Sequence, residues 1–223
     1  MMKLSRRTAL ATIAAGATTI GTTRTAQALP DGIGELAPVE FLAGNRVPTL
    51  NEAEEAAQET GTAQPYLEEI KLARRILSGS PTDETPFGIA SYFQLLRHGE
   101  YTDQFGANAA LYAEEWPVRG NPVIMSFFDS TTLREPNGDQ TAWCAAFVNW
   151  CYQRSRGEAA TSSAASETFR RWGEETQSPK IGDIVVFQNK NEAWRGHVGF
   201  YVGERDGRIF VLGGNQRPSD KHN

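Results

Sequence analysis

The pattern of apolar and polar positions predicts helices in the first half of the chain. Pro65 opens the run YLEEIKLARRIL, whose helical face carries Leu67, Ile70, Ala73, Arg74 and Leu77. A second helix is predicted from Phe87 to His98 and ends at Gly99; its inward face holds Ile89, Tyr92, Phe93 and Leu96. Residues 105–116 and the apolar piece 123–128, helical or irregular, lead to the middle of the chain.

The pattern changes to strands after Pro179. A continuous apolar strand is predicted at 184–187, a second strand at 197–202, and a third at 208–212 beyond the hairpin turn Asp206-Gly207. A helix is predicted before them at about 164–172, with Phe169 and Trp172 pointing inward. Helices followed by an antiparallel meander predict an α+β domain.

Between these halves lies TAWCAAFVNW, residues 141–150, which predicts a buried helix that is apolar nearly all round. Asp139 or Thr141 is the expected N-cap, and Cys144 falls in the first turn. A thiol there feels the positive end of the helix dipole, which favours the thiolate form of a nucleophile. This stretch alone favours an inert core cysteine over a nucleophile, since free cysteines are among the most buried residues.

The first 28 residues have the layout of an export signal. Four basic residues and no acidic one are followed by a weakly apolar run and the small-x-small site Ala26-Gln27-Ala28. The pair Arg6-Arg7 resembles a twin-arginine signal, with a Sec signal as the alternative, and predicts a periplasmic or extracellular protein. The apolar run is too short for a transmembrane helix, so no stable membrane insertion is expected after cleavage.

The expected organisation is therefore signal 1–28, tether 29–64, domain 65–216 and polar tail 217–223. Without the signal the chain has 18 basic and 27 acidic residues, a net charge of −9. This balance argues against nucleic acid as a partner, and recognition of an anionic polymer would have to be local.

The two cysteines do not form the disulfide that an exported chain invites. Cys144 and Cys151 lie seven residues apart on one predicted helix, about 10 Å apart by helical rise and beyond disulfide reach. Both are therefore expected to be free thiols, with Cys151 in the core. Spaced metal ligands are missing from the sequence, so we expect neither a metal nor a cofactor.

One histidine stands out from the three. His98 lies at a helix end and His222 in the polar tail, whereas His197 opens an apolar strand. Gly213-Gly214-Asn215-Gln216 follows the third strand, and pairing about a turn near 205 sets His197 opposite roughly 213, within reach of Asn215. A cysteine at a helix start, a facing histidine and an amide that orients it are the parts of a cysteine nucleophile system.

The ordered blocks WCAAFVNW, GDIVVF, GHVGFYVG and VLGGNQ resemble the NlpC-like and CHAP-like cysteine peptidases and amidases, a papain-like group. The resemblance implies a central helix packed on a small antiparallel sheet, with Cys144 as nucleophile, His197 as general base and acid, and Asn215 orienting the imidazole. It implies peptidoglycan stem peptides as substrates. Trp143 is a candidate groove wall or a core aromatic, and Gln216 is a second candidate at the substrate or an alternative orienting amide.

In one respect the chain departs from this pattern. Family members continue beyond GGNQ with a strand, whereas residues 217–223 are polar. A catalytically silent binding or structural module is therefore an alternative to the hydrolase, and an acyl transferase with the same triad is another. The sequence leaves the scissile amide and the oligomeric state open.

Overall fold

The computed structural model describes residues 7–10, 64–116, 120–133, 139, 141–191 and 196–216. The expected tether 29–64 except for Gln64, the tail 217–223 with His222, and all of the expected signal except 7–10 lie outside the described residues. The helices are α1 (Gln64–Gly79), α2 (Pro86–Arg97), α3 (Thr102–Phe105), α4 (Pro122–Phe127) and α5 (Cys144–Arg156), with 3₁₀ turns at Ala109–Ala113, Phe128–Ser130 and Ser166–Arg171. The strands are β1 (Arg7–Leu10), β2 (Glu174–Glu175), β3 (Ile184–Gln188), β4 (Gly196–Arg205) and β5 (Arg208–Leu212).

The sheet has the order β2-β1-β3-β4-β5. Strands β3, β4 and β5 form the expected antiparallel meander, and the β4–β5 turn lies at Asp206 and Gly207, both with positive φ. Strands β1 and β2 were not expected, and they extend the sheet in parallel beyond β3. The α+β class with a helical first half and a small antiparallel sheet is thereby confirmed.

Helix α5 lies in the middle of the core, where it packs against α2 on one side and β4 on the other. Its residues 144–149, 151 and 152 are buried, as the apolar run predicts. Phe93 of α2 meets Phe147 and Trp150 of α5 edge-to-face, with ring centroids 5.8 and 5.4 Å apart. Gly157 ends α5 in the left-handed conformation, which glycine adopts without a steric penalty.

Three local expectations were wrong. Arg74 is exposed, whereas Ala73 and Ile76 of α1 are completely buried. The segment predicted as an α-helix at 164–172 forms the shorter 3₁₀ turn Ser166–Arg171, although Phe169 is buried and Trp172 packs on Phe169 and Tyr152 as expected. Helix α5 begins at Cys144, directly after Trp143, and has no side-chain cap from Asp139 or Thr141.

The apolar run of the expected signal, which is too short for a transmembrane helix, lies mostly outside the described residues. Among the helices that the structure describes, none has the length and apolar character needed to cross a bilayer.

Candidate active site

Cys144 is the first residue of α5 and only 3 % exposed. The backbone N–H groups of Val198, of Ala145 and of Cys144 itself lie near its sulfur, where they favour the thiolate. The proximity of Val198 is decisive for the site, because Val198 follows His197 in β4. The thiol at the start of the central helix therefore lies near the strand that carries the candidate histidine.

Burial raises the pKa of the Cys144 thiol above its ordinary value. The backbone N–H groups around the sulfur act in the opposite direction but more weakly. The helix start thus favours the thiolate, as expected, but desolvation outweighs it in the free protein. Cys151 is fully buried, and burial raises its pKa well above the ordinary value. Both cysteines are free, as the spacing predicts.

His197 is the second residue of β4 and pairs with Phe187 of β3. The two rings stack, with centroids 6.3 Å apart and an interplanar angle of 29°. The residue is half-buried as a whole, but its Nε2 atom is buried and has no hydrogen-bond partner among the described residues. Burial lowers the pKa of His197 to about 4, so the imidazole is neutral at pH 7.

The described pairing of β4 and β5 ends before it reaches His197. Phe200 pairs with Leu212, and a bulge lies between Tyr201 and Gly203. Gly213, the first residue after β5, lies beside His197, in agreement with the expected pairing near 213. The approach of Asn215 to His197 stays a prediction.

The turn after β5 contains a hydrogen bond that the sequence does not reveal. Gln216 folds back so that its Oε1 accepts the N–H of Gly213 at 3.0 Å, while its Nε2 is buried without a partner in the described part of the chain. Gly213 also lies against the imidazole, because a Cβ at this residue would stand 3.3 Å from His197 Nε2. The same turn holds Asn215 in the left-handed region, at φ 56°.

Trp143 lies in the core, beneath this turn. It is 8 % exposed, and its indole contacts the rings of Phe127 and Phe147 at centroid distances of 6.0 and 6.1 Å. Its Nε1 donates a hydrogen bond of 3.0 Å to Glu115. This position matches the core-aromatic interpretation, and a part for Trp143 in substrate binding stays a prediction.

Two buried polar residues form hydrogen bonds to loop segments that the sequence did not predict. Asp139 is 2 % exposed, and its Oδ2 accepts the N–H groups of Trp116 and Asn121, each at 2.9 Å. Asn149 on α5 is fully buried, and its Oδ1 accepts the N–H of Thr161 at 2.8 Å while its Nδ2 donates to Ser163 O at 2.8 Å. An asparagine in the middle of an apolar helix was the available signal for the second residue.

The donor groups do not form a metal site in the part of the chain that the structure describes. There, no three histidine, cysteine, aspartate or glutamate side chains are close enough to hold an ion. His98 is the other histidine among the described residues. It is exposed at the end of α2 and remote in sequence from the cysteine helix.

A cysteine at the start of a central helix, packed on an antiparallel sheet that carries a histidine, defines the papain-like class of cysteine hydrolases. Residues 136–215 match the family model of the CHAP domain, which confirms the resemblance noted in the sequence. The matched stretch includes Cys144, His197 and Asn215. No curated protein and no solved structure matches the chain. The CHAP match indicates amidase or peptidase activity on peptidoglycan.

Proposed function

We propose that this protein is an exported cysteine hydrolase that cleaves amide bonds in peptidoglycan stem peptides, with Cys144 as the nucleophile. The observation that carries the proposal is the packing of α5 on β4, with the backbone N–H of Val198 near the Cys144 sulfur. It joins the start of α5 to the histidine end of β4, within the stretch that matches the CHAP domain. Cys151 is fully buried two turns further along α5 and takes no part.

The reaction begins from a neutral thiol and a neutral imidazole. Burial raises the pKa of Cys144 and lowers that of His197 to about 4, so an ion pair is disfavoured in the free protein. His197 takes the Cys144 proton as the sulfur attacks the amide carbonyl, which forms a tetrahedral oxyanion. Backbone N–H groups in the first turn of α5, that of Cys144 among them, are placed to stabilise its negative charge.

The intermediate then collapses. The C–N bond breaks, His197 returns its proton to the leaving amine, and an acyl thioester remains on Cys144. Water, deprotonated by His197, attacks this thioester and releases the carboxylic acid, which restores the thiol and the neutral imidazole. The cycle uses no oxidant, metal or cofactor.

The third member of the site is an amide from the turn after β5. Asn215 is the residue that the sequence predicts, and it lies in the turn that follows β5. The hydrogen bond between Gln216 and Gly213 favours the second amide, Gln216.

The proposal includes export of the protein to the periplasm or the cell exterior. Residues 1–28 combine paired arginines, a weakly apolar run and a small-x-small site, which fits cleavage after a twin-arginine or Sec pathway. Strand β1 lies within this segment, so cleavage would remove it from the sheet and leave the antiparallel meander β3-β4-β5. A peptidoglycan substrate requires this location, periplasmic or extracellular. Fractionation of the producing cells, with Arg6 and Arg7 both changed to Lys, tests it: retention of the variant inside the cell supports twin-arginine export, and unchanged export points to Sec.

The catalytic proposal is tested by digesting purified peptidoglycan with the protein and identifying the muropeptides by mass spectrometry. Wild-type protein is expected to release new amine and carboxylate ends, and Cys144→Ala to release none. Cys151→Ala is the matched control, because it removes the other buried thiol of the same helix and is expected to keep the activity.

The alternatives give different products. A wild-type digest indistinguishable from that of Cys144→Ala would contradict the hydrolase and favour a silent binding module. Products in which a new amine replaces water at the cleaved carbonyl would show acyl transfer by the same cysteine. The masses also identify the bond, within the stem peptide or at the sugar–peptide amide.

A further inference from the structure

We propose that Gln216, rather than Asn215, is the positioning residue that holds the His197 imidazole, through a hydrogen bond from Nε2–H of His197 to Oε1 of Gln216. The inference builds on the proposed function, since it concerns the histidine assigned there as the base. It reverses the order of the two amides that the sequence favours. Three features of the turn after β5 carry it.

The first feature is the orientation of the Gln216 amide. Its Oε1 accepts the Gly213 N–H at 3.0 Å, and this bond distinguishes oxygen from nitrogen, because a flipped amide would set an NH₂ group against an N–H. A carbonyl oxygen has two lone pairs, and Gly213 uses one of them. The Gln216 oxygen, which lies beside Gly213, can therefore accept a second hydrogen bond.

The second feature is the place of the imidazole nitrogen. A Cβ at residue 213 would stand 3.3 Å from His197 Nε2, so this atom lies against the same glycine that binds Gln216. Nε2 is buried and without a partner in the described part of the chain. A buried ring nitrogen requires a hydrogen bond, and catalytic hydrogen bonds are often loose before substrate binds. The amide beside Gly213 is positioned to supply it.

The third feature is the chemistry of the base. Because Nε2 lies against Gly213, Nδ1 is the nitrogen left to serve Cys144, and it must be unprotonated to accept the thiol proton. That tautomer carries its proton on Nε2 and needs an acceptor there. The Gln216 oxygen selects this tautomer, whereas an NH₂ group facing Nε2 would select the inactive one.

Asn215 has a conformational explanation of its own. Its φ of 56° lies in the left-handed region, where asparagine is among the few non-glycine residues that are favoured. The turn that Asn215 adopts directs the next residue back towards Gly213. In this arrangement Asn215 shapes the turn and Gln216 makes the contact.

The test is the tautomer and pKa of His197, measured by ¹⁵N NMR on the full chain, with His197→Gln to assign the signal among the three histidines. Wild-type protein is expected to show the Nε2–H tautomer at pH 7. Gln216→Leu is expected to lose this preference. Gln216→Glu is expected to keep it and to raise the His197 pKa by at least about one unit, since it places a carboxylate beside the ring. Asn215→Gly is the matched control, because it removes the amide but tolerates the left-handed backbone.

The same variants separate positioning from structure in kinetics. Gln216→Leu is expected to lower kcat by about 10- to 100-fold with little change in KM, and Gln216→Glu to recover part of the loss. If Gln216→Leu does not fold, Gln216→Glu still decides through the His197 pKa.

An unchanged His197 tautomer and pKa in both Gln216 variants would overturn the proposal. A larger change in Asn215→Gly than in the Gln216 variants would also overturn it and assign the contact to Asn215. Because NMR needs no turnover, these outcomes are independent of whether the protein hydrolyses peptidoglycan. Inactive wild-type protein with a tautomer that depends on Gln216 would refute the hydrolase alone.

Discussion

Gly214 and Trp143 are so close that a Cβ on the glycine would stand 2.4 Å from Cε3 and Cζ3 of the indole. The same Cβ would stand 2.8 Å from Cβ of Phe147. Trp143 immediately precedes the candidate nucleophile, and Gly214 immediately precedes the two candidate orienting amides. This contact therefore sets the distance between the cysteine helix and the turn, and it requires glycine.

Gly214→Ala is expected to force the indole or the turn to move. Overpacking of this kind lowers the free energy of unfolding by about 1–3 kcal/mol, and the displaced turn should also reduce hydrolysis. Urea denaturation and the peptidoglycan digest measure the two effects. Gly203→Ala is the matched control, since a Cβ at residue 203 meets nothing within 4 Å. Equal stability of the two variants would contradict the contact.

His197 is expected to make the stability of the protein depend on pH. Its pKa is about 4 in the folded protein, against 6.5 as the ordinary value, so the unfolded chain binds more protons between these values. The stabilisation is complete above pH 6.5 and is lost as the pH falls towards 4. It amounts to on the order of 3 kcal/mol, because each pKa unit corresponds to about 1.4 kcal/mol.

Urea denaturation at intervals from pH 4 to pH 7 measures this dependence, with His197→Gln as the control. The difference between the two stability curves is expected to shrink with falling pH across this window. Parallel curves would show that the imidazole titrates alike in the folded and unfolded chain.

Asp139 is expected to contribute to stability through its two backbone hydrogen bonds. Asp139→Ala leaves the buried N–H groups of Trp116 and Asn121 without this acceptor, at a cost of about 1–3 kcal/mol for each unpaired group. Asp139→Asn keeps an acceptor oxygen and should lose less. Thermal and urea denaturation of both variants measure the difference.

Asp183→Ala is the comparison for Asp139, because the Asp183 carboxylate accepts a single N–H, that of Lys180, at an exposed position. A loss of less than about 1 kcal/mol is expected there. If Asp139→Ala cost no more than Asp183→Ala, the two hydrogen bonds at Asp139 would not stabilise the fold.

The strands β3 and β5 and the helix α2 follow from the local sequence. Strand β3 is an apolar run bounded by turn residues, and its first three residues are buried. The apolar positions at helical spacing form the buried face of α2, as expected. Arg74 shows the limit of that argument. Arg74 shares a helical stripe with Ile70 and Leu77, which are buried, but Arg74 itself is exposed and Ile76 is buried. The packing of α1 against α4 and the neighbouring helices decides which residues are buried.

The hydrogen-bond partners of the buried polar residues could not be predicted from the sequence. Asp139 has the residue type and position of an N-cap, but its partners, Trp116 and Asn121, lie about 20 residues earlier in the chain. Asn149 likewise binds the segment 161–163 across a gap that no local pattern covers. Contacts of this kind depend on which loops meet, which periodicity does not encode.

For the site itself, the sequence by itself determined that Cys144 starts an apolar helix, that His197 opens a strand, and that two amides follow a glycine pair. These are local properties of residue type and spacing. The tertiary structure adds that the thiol lies near Val198 of β4, that burial outweighs the surrounding backbone N–H groups in its effect on the thiol pKa, and that Gln216 reaches Gly213. The bulge in β4 and the contact between Gly214 and Trp143 set those distances, and both arise from the packing of segments distant in the chain.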